Sequence, residues 1–229
     1  MKKYAVSLII LLGLIGGTLF FYDDIVNNPY LRIQQVVIRG DHTHESEALL
    51  EETLLPVMTD KTFVSLRKST VKIALFERFP WLDTITIRKI FPHKIVITLS
   101  EKVPFAIANQ SLLITQDGVL FGPSPSTFPT GLPTLFFNEG EEKNTLALFK
   151  EFERHFEAQN LSLVSFSLHL SLIECTLNNG LIITLSDKRP LEHIEEFLAV
   201  YPKLLASNPK KKPLKVDLRY ERGFSVVWG

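Results

Sequence analysis

Residues 84–99 read TITIRKIFPHKIVITL, and this stretch decides the fold of the first half of the chain. Ile85 and Ile87 alternate with Thr86 and Arg88. Phe91-Pro92-His93 then turns the chain, and Ile95, Ile97 and Leu99 alternate with Lys94, Val96 and Thr98. Successive side chains of a strand point to opposite faces, so a period of two rich in β-branched residues marks a half-buried strand. The stretch therefore reads as a two-stranded hairpin. Working upstream, residues 66–79 put Leu66, Ile73, Leu75, Phe76 and Phe79 in a helical stripe that Pro80 ends. Residues 45–55 form a shorter helix with Leu49, Leu50 and Leu54 toward one face, stopped at Pro56. Residues 32–39 (RIQQVVIR) read as a strand closed by Gly40-Asp41. The order is strand, helix, helix, strand, strand, which is a compact α+β unit.

Downstream of Pro104 the texture changes. Short strands at 112–115 and 119–121 flank Asp117-Gly118, a hairpin signal. Residues 123–133 hold four Pro and read as a loop. Residues 144–157 form an amphipathic helix, with Asn144 as its cap and Leu148, Phe149, Phe152 and Phe156 on one face. Strands at 172–177 and 181–185 are joined by Asn178-Asn179-Gly180. A helix then starts at Pro190 and presents Leu191, Ile194, Phe197, Leu198 and Tyr201. Strands at 215–220 and 224–228 come last. The whole is an α+β chain whose second part is a mixed β-sheet with flanking helices.

Working toward the N-terminus, residues 5–22 carry no charged side chain. Eighteen helical residues span ~27 Å, close to the hydrocarbon thickness of a bilayer. Lys2 and Lys3 precede the run and Asp23 and Asp24 follow it, which places residues 1–4 in the cytoplasm and the bulk of the chain across the membrane. A cleavable signal peptide is the competing reading, with Gly16, Gly17 and Thr18 small enough for a cleavage site. The apolar run continues through Phe21, which favours an uncleaved single-pass anchor. Gly13 and Gly17 have the GxxxG spacing that lets two membrane helices approach, and weak self-association is the expectation it supports.

Composition narrows the chemistry. The chain has 229 residues, with 25 Lys+Arg against 25 Asp+Glu, so it is not built to coat nucleic acid. A single cysteine, Cys175, excludes an intrachain disulfide and multi-cysteine metal motifs. Cys175 lies among Leu172, Ile173 and Leu177, where a thiol is inert packing. His42 and His44 would project to one face of an extended segment beside Glu45, but a third ligand at defined distance from the pair is not visible and no metal is expected. No GxSxG is present, and Ser124 and Ser126 sit in a Pro-rich loop. Lys210-Lys211-Lys212 reads as a solvated turn. No cofactor is expected, and the chain reads as a non-enzyme. A signal-anchored peptidoglycan hydrolase is the alternative class, and it would need a polar catalytic constellation.

With the anchor in front, the first unit resembles a POTRA domain. Its tail carries Phe79-Pro80-Trp81, Arg88-Lys89-Ile90-Phe91-Pro92 and the run from Leu99 through Glu101-Lys102-Val103-Pro104 to Ala106. The second part carries Asn178-Asn179-Gly180, Phe197-Leu198-Ala199-Val200-Tyr201-Pro202, Val216-Asp217-Leu218-Arg219-Tyr220, Gly223 and Trp228. In order and spacing these are similar to the bacterial cell division family FtsQ/DivIB. The resemblance implies an anchor at 5–22, a POTRA domain at 30–101 and a β domain at 102–229. It implies a non-catalytic divisome scaffold in the inner membrane, single-pass type II, with its bulk in the periplasm and concentrated at the septum. Its implied partners are FtsB and FtsL, bound at the last strand, with other divisome components at the POTRA domain. The implied partner-binding positions are the matched Tyr220, Arg222 and Gly223, with Arg219 and Trp228 close by. Two departures stand out: the cytoplasmic tail is very short, and a basic residue of relatives is Leu170 here, with His169 beside it.

The residues themselves agree with a docking edge. The last β segment of the sequence is expected to lie at a sheet edge, where unpaired backbone groups template strand addition. Val216, Leu218 and Tyr220 should face the core, and Asp217, Arg219 and Glu221 the other side. Gly223 would allow close backbone approach or a bulge. Aromatic and Arg side chains are common interface anchors.

Overall fold

The computed structural model describes residues 22–40, 47–123 and 129–229. The expected membrane span at 5–22 lies outside the described residues but for Tyr22, as do His42, His44, Glu45, Ser124 and Ser126. Among the described residues no helix is long and apolar enough to cross a membrane. The chain divides into two compact units between Lys102 and Val103.

The first unit runs β1 (Gln35–Gly40), α1 (Glu47–Met58), α2 (Lys68–Arg78), β2 (Leu82–Ile90) and β3 (Lys94–Glu101). The sheet order is β1-β3-β2, with β3 parallel to β1 and antiparallel to β2. Ile85, Ile87, Ile95, Ile97 and Leu99 are buried, as the period of two requires. Val96, on the other face of β3, is buried as well, flanked by Val37 and Arg88 on the neighbouring strands.

The helices depart from expectation in two places. Pro56 does not stop α1, which runs on to Met58. Proline's fixed φ is helical, and the Thr59 amide closes the last turn on the Leu55 carbonyl at 2.9 Å. In α2 the inward pair is Val71 and Leu75, whereas Ile73 and Phe76 are exposed. At ~100° per residue Ile73 sits ~200° round from Val71, so the two cannot share the buried face.

Among the described residues, the second unit is one mixed sheet with two helices. Its strands are β4 (Ala106–Ala108), β5 (Leu112–Ile114), β6 (Leu120–Phe121), β7 (Thr134–Phe137), β8 (Leu163–His169), β9 (Leu172–Leu177), β10 (Ile182–Ser186), β11 (Pro213–Asp217) and β12 (Ser225–Trp228). The helices are α3 (Glu142–Glu157) and α4 (Pro190–Ser207). The nine strands lie in the order β12-β11-β10-β9-β8-β7-β4-β5-β6. Strands β4, β7 and β8 were not expected. The first two are three and four residues long, too short to show a period. In β8 a bulge between Leu163 and Ser165 breaks the alternation.

Both helices pack on one face of this sheet. Phe149, Phe152 and Phe156 of α3 and Ile194, Phe197, Leu198 and Tyr201 of α4 are buried against Leu135, Phe137, Phe166, Ile173, Cys175, Ile183 and Val216. Phe166 stacks edge to face with Phe152 at 5.2 Å and with Phe149 at 6.1 Å. Asn144 does not cap α3, which begins one turn earlier after Glu141. The opposite face of the sheet carries Ser167, Glu174, Lys215 and Asp217, the polar half of the strand alternation. Cys175 is fully buried, and burial pushes its thiol well above the usual range, so no thiolate forms there near neutral pH.

Candidate docking edge

Strand β12 pairs with β11 on one side only and ends the sheet. Two hydrogen bonds fix which of its backbone groups face outward. The Gly229 amide donates inward to the Lys212 carbonyl at 2.9 Å. On the next strand, the Leu218 amide donates away from β12 to the Thr184 carbonyl at 2.8 Å. Direction alternates along a strand, so Ser225 and Val227 bond inward to Asp217 and Lys215, their register partners. The N–H and C=O groups of Val226 and Trp228 therefore point away from the sheet. Among the described residues no strand pairs with them.

Side chains on the same strand alternate the other way. Val226 is half-buried and packs on the core together with Phe224, whose ring meets Phe197 edge to face at 5.7 Å. Trp228 shares that face, half-buried opposite Pro213. Ser225 and Val227 are exposed on the open face. This F-S-V-V-W alternation is visible in the sequence. Ser225, Val226 and Val227 were nevertheless not among the expected site residues, because the family resemblance matches the turn before them and the tryptophan after them.

The turn between β11 and β12 holds the other expected positions, and here one expectation is corrected. Tyr220 does not continue β11 toward the core beside Val216 and Leu218; it lies in the turn, 54% exposed. The cause is Asp217. Its carboxylate accepts from the Arg219 amide at 3.1 Å, an Asx turn that takes the chain out of the ladder. The same carboxylate grips the Arg219 guanidinium through Nε at 2.9 Å and Nη2 at 2.6 Å. The Arg219 hydrogen bond holds the Asp217 carboxyl below the usual carboxylate range. Arg219 is thus engaged within the chain, as the clamp that shapes the turn. Arg222 and Gly223 are exposed. Gly223 has φ +82°, the left-handed region, with nothing within 4 Å of where a Cβ would stand.

The expected residues do not gather into a pocket. Tyr220, Arg222 and Gly223 lie at one end of β12 and Trp228 at the other, three strand steps or ~10 Å beyond Ser225. They line an edge. Leu170, 89% exposed, is at the tip of the β8–β9 hairpin. Leu172 pairs with Ser186 and Thr184 pairs with Asp217, so this tip and the 218–224 turn lie at the same end of the sheet. His169 Nδ1 is 3.3 Å from Asn138 Oδ1.

Two family profiles account for most of the chain. One described as "POTRA domain, FtsQ-type" matches residues 31–102. A second, "Cell division protein FtsQ/DivIB, C-terminal", matches residues 106–219. The chain belongs to the FtsQ/DivIB family. Full-length similarity agrees. The cell division protein FtsQ of Coxiella burnetii is 28% identical over 226 residues, covering 97% of this chain and 89% of the relative. That of Shewanella oneidensis is 29% identical over 227 residues, covering 97% and 84%. FtsQ of Escherichia coli is 25% identical over 202 residues, covering 86% and 73%. The α+β architecture with an FtsQ-type POTRA domain and a mixed sheet follows from the same matches. The FtsQ/DivIB profile ends at Arg219, just before the turn and the edge strand.

Proposed function

We propose that this FtsQ-family chain is a non-catalytic scaffold of the division machinery, and that β12 accepts a strand from an FtsB/FtsL-type pair. The observation that carries the reading is the free edge of β12, with the Val226 and Trp228 backbone groups aimed outward beside an exposed Tyr220 and Arg222. Strand addition draws affinity from main-chain hydrogen bonds and specificity from flanking side chains, and this edge offers both. Arg219 serves the site by holding the turn, and Gly223 by letting the chain reverse. Residues 5–22 act as the membrane anchor, with 30–101 and 102–229 in the periplasm as the two binding units. The first unit is the surface for other divisome components. Confining the chain to the septal membrane raises effective concentration, so modest contacts suffice for assembly.

The test is a titration of the full chain, held in nanodiscs, with the periplasmic parts of the same organism's FtsB and FtsL. Tyr220→Glu, on an exposed turn, should leave the melting curve unchanged and weaken binding by roughly thirtyfold or more, the scale of an interface hot spot. Equal binding by a folded Tyr220→Glu would sink the assignment of this edge.

A further inference from the structure

The end of the first unit that follows the apolar run carries a surface with no role at β12. The Thr62 hydroxyl donates to the Val26 carbonyl at 2.5 Å. The Phe63 amide donates to the Leu31 carbonyl at 2.7 Å, and the Gln34 amide to the His93 carbonyl at 3.0 Å. Phe63 meets Phe91 edge to face at 5.7 Å. Lys89 Nζ donates to the Phe63 carbonyl at 2.6 Å and also to that of Leu66. These bonds gather residues 26–34, 61–66 and 89–94 at one end of the sheet.

At that end large apolar side chains face solvent. Tyr30 is 85% exposed, Phe91 71%, Ile90 47% and Val64 44%. Around them Arg32, Lys61, Arg67 and Lys68 are exposed, and Lys94 is half-buried. Asp24 and Asp60 are the exposed acids of the same segments, and Asp23 adds a third acidic residue in sequence. The cations outnumber them. Solvent-facing aromatics ringed by cations suit an interface that is apolar below and anionic above, which is a headgroup layer.

Distance supplies the second line of support. The short helix Tyr22–Val26 begins where the apolar run ends, and Val26 is tied to Thr62. Four helical steps rise ~6 Å, less than the ~8 Å screening length at physiological salt. We propose that this end of the first unit docks on anionic lipid headgroups, with Tyr30 and Phe91 in the interface and Arg32, Lys61, Arg67 and Lys68 against phosphate. This rests on the reading of residues 5–22 as a membrane span. Docking would fix the tilt of the first unit on the membrane, so that its outer surfaces face other proteins.

The full chain, reconstituted in phosphatidylethanolamine–phosphatidylglycerol vesicles, tests it. Phe91→Cys and Val64→Cys carry a fluorescent label, with Ser100→Cys at the far end of β3 as reference. Cys175 is fully buried and leaves the introduced thiol as the reactive one. Headgroup-level quencher lipids should quench the labels at 91 and 64 far more than the label at 100. The difference should shrink in 1 M salt, where screening falls to ~3 Å. It should also shrink when Lys61, Arg67 and Lys68 are changed to Glu. Alkaline carbonate extraction separates the two readings. A chain stripped from the vesicles overturns the span and the docking with it. A chain retained, yet quenched no more at 91 than at 100, overturns the docking alone. Protein adducts from a photo-crosslinker at 91 without lipid quenching would assign the patch to a protein partner instead.

Discussion

Proline scanning of β12 separates its two sides. At Val226 the amide points away from β11, so Val226→Pro removes no ladder hydrogen bond among the described residues. Proline is tolerated on an edge strand at such a position. At Val227 the amide points inward to Lys215, and Val227→Pro deletes a ladder bond. The two neighbours should therefore behave oppositely. Val226→Pro removes one donor offered to an incoming strand and leaves a partner carbonyl unpaired. That loss is ~1–3 kcal/mol, or roughly fivefold to 150-fold in Kd. Its melting curve should shift little. Val227→Pro should lower stability by ~1–2 kcal/mol and fray the strand, with amide exchange at Gly229 accelerated. The assay is isothermal titration with the FtsB/FtsL pair alongside thermal unfolding of each variant. A folded Val226→Pro that binds like the parent chain would refute strand addition on this edge. A Val227→Pro chain as stable as the parent would refute the assignment of which groups face out.

Other outcomes follow from the turn and the core. The Asp217 carboxyl, depressed mainly by the Arg219 hydrogen bond, contributes stability that is present above its unfolded pKa of ~3.9 and lost as pH falls through the lower folded value. Asp217→Asn should remove that part of the acid sensitivity, as read by urea midpoints between pH 6 and 2, and weaken partner binding by loosening the turn. Gly223→Ala meets no neighbour but forces an L-residue to φ +82°, which should destabilise by ~1–2 kcal/mol in a denaturant melt. Cys175 should resist a thiol reagent in the native chain at pH 8 and react at once in denaturant; rapid native labelling would contradict its burial.

How much of this was legible beforehand depends on which signal each element leaves. The β2–β3 hairpin announced itself because Ile85 and Ile87, then Ile95, Ile97 and Leu99, recur with a period of two against one core. Helix α3 did so because Phe149, Phe152 and Phe156 recur at helical spacing. Strands β4 and β7 are too short to show a period, and the bulge in β8 hides one. Their placement is set by pairing with distant segments, as when β7 runs parallel to both β4 and β8. At the candidate edge, the family resemblance pointed to Tyr220, Arg222 and Gly223, with Arg219 and Trp228 close by. The local Asp217–Arg219 bonds revealed that Tyr220 leaves the strand and that Arg219 is engaged, and the bonds between strands revealed that Val226 rather than Val227 offers its amide outward.

The nine-stranded sheet is unequal at its two ends. β6 closes one end with two residues, Leu120–Phe121, while β12 closes the other with four. Two residues present too few backbone groups to hold a visiting strand, so growth by pairing is open in one direction. Under the proposed strand addition, this sheet seats one guest strand per copy of the chain. On that proposal, the guests held at β12 would number no more than the chains present, and supply of this protein would cap the stoichiometry of what docks on this edge.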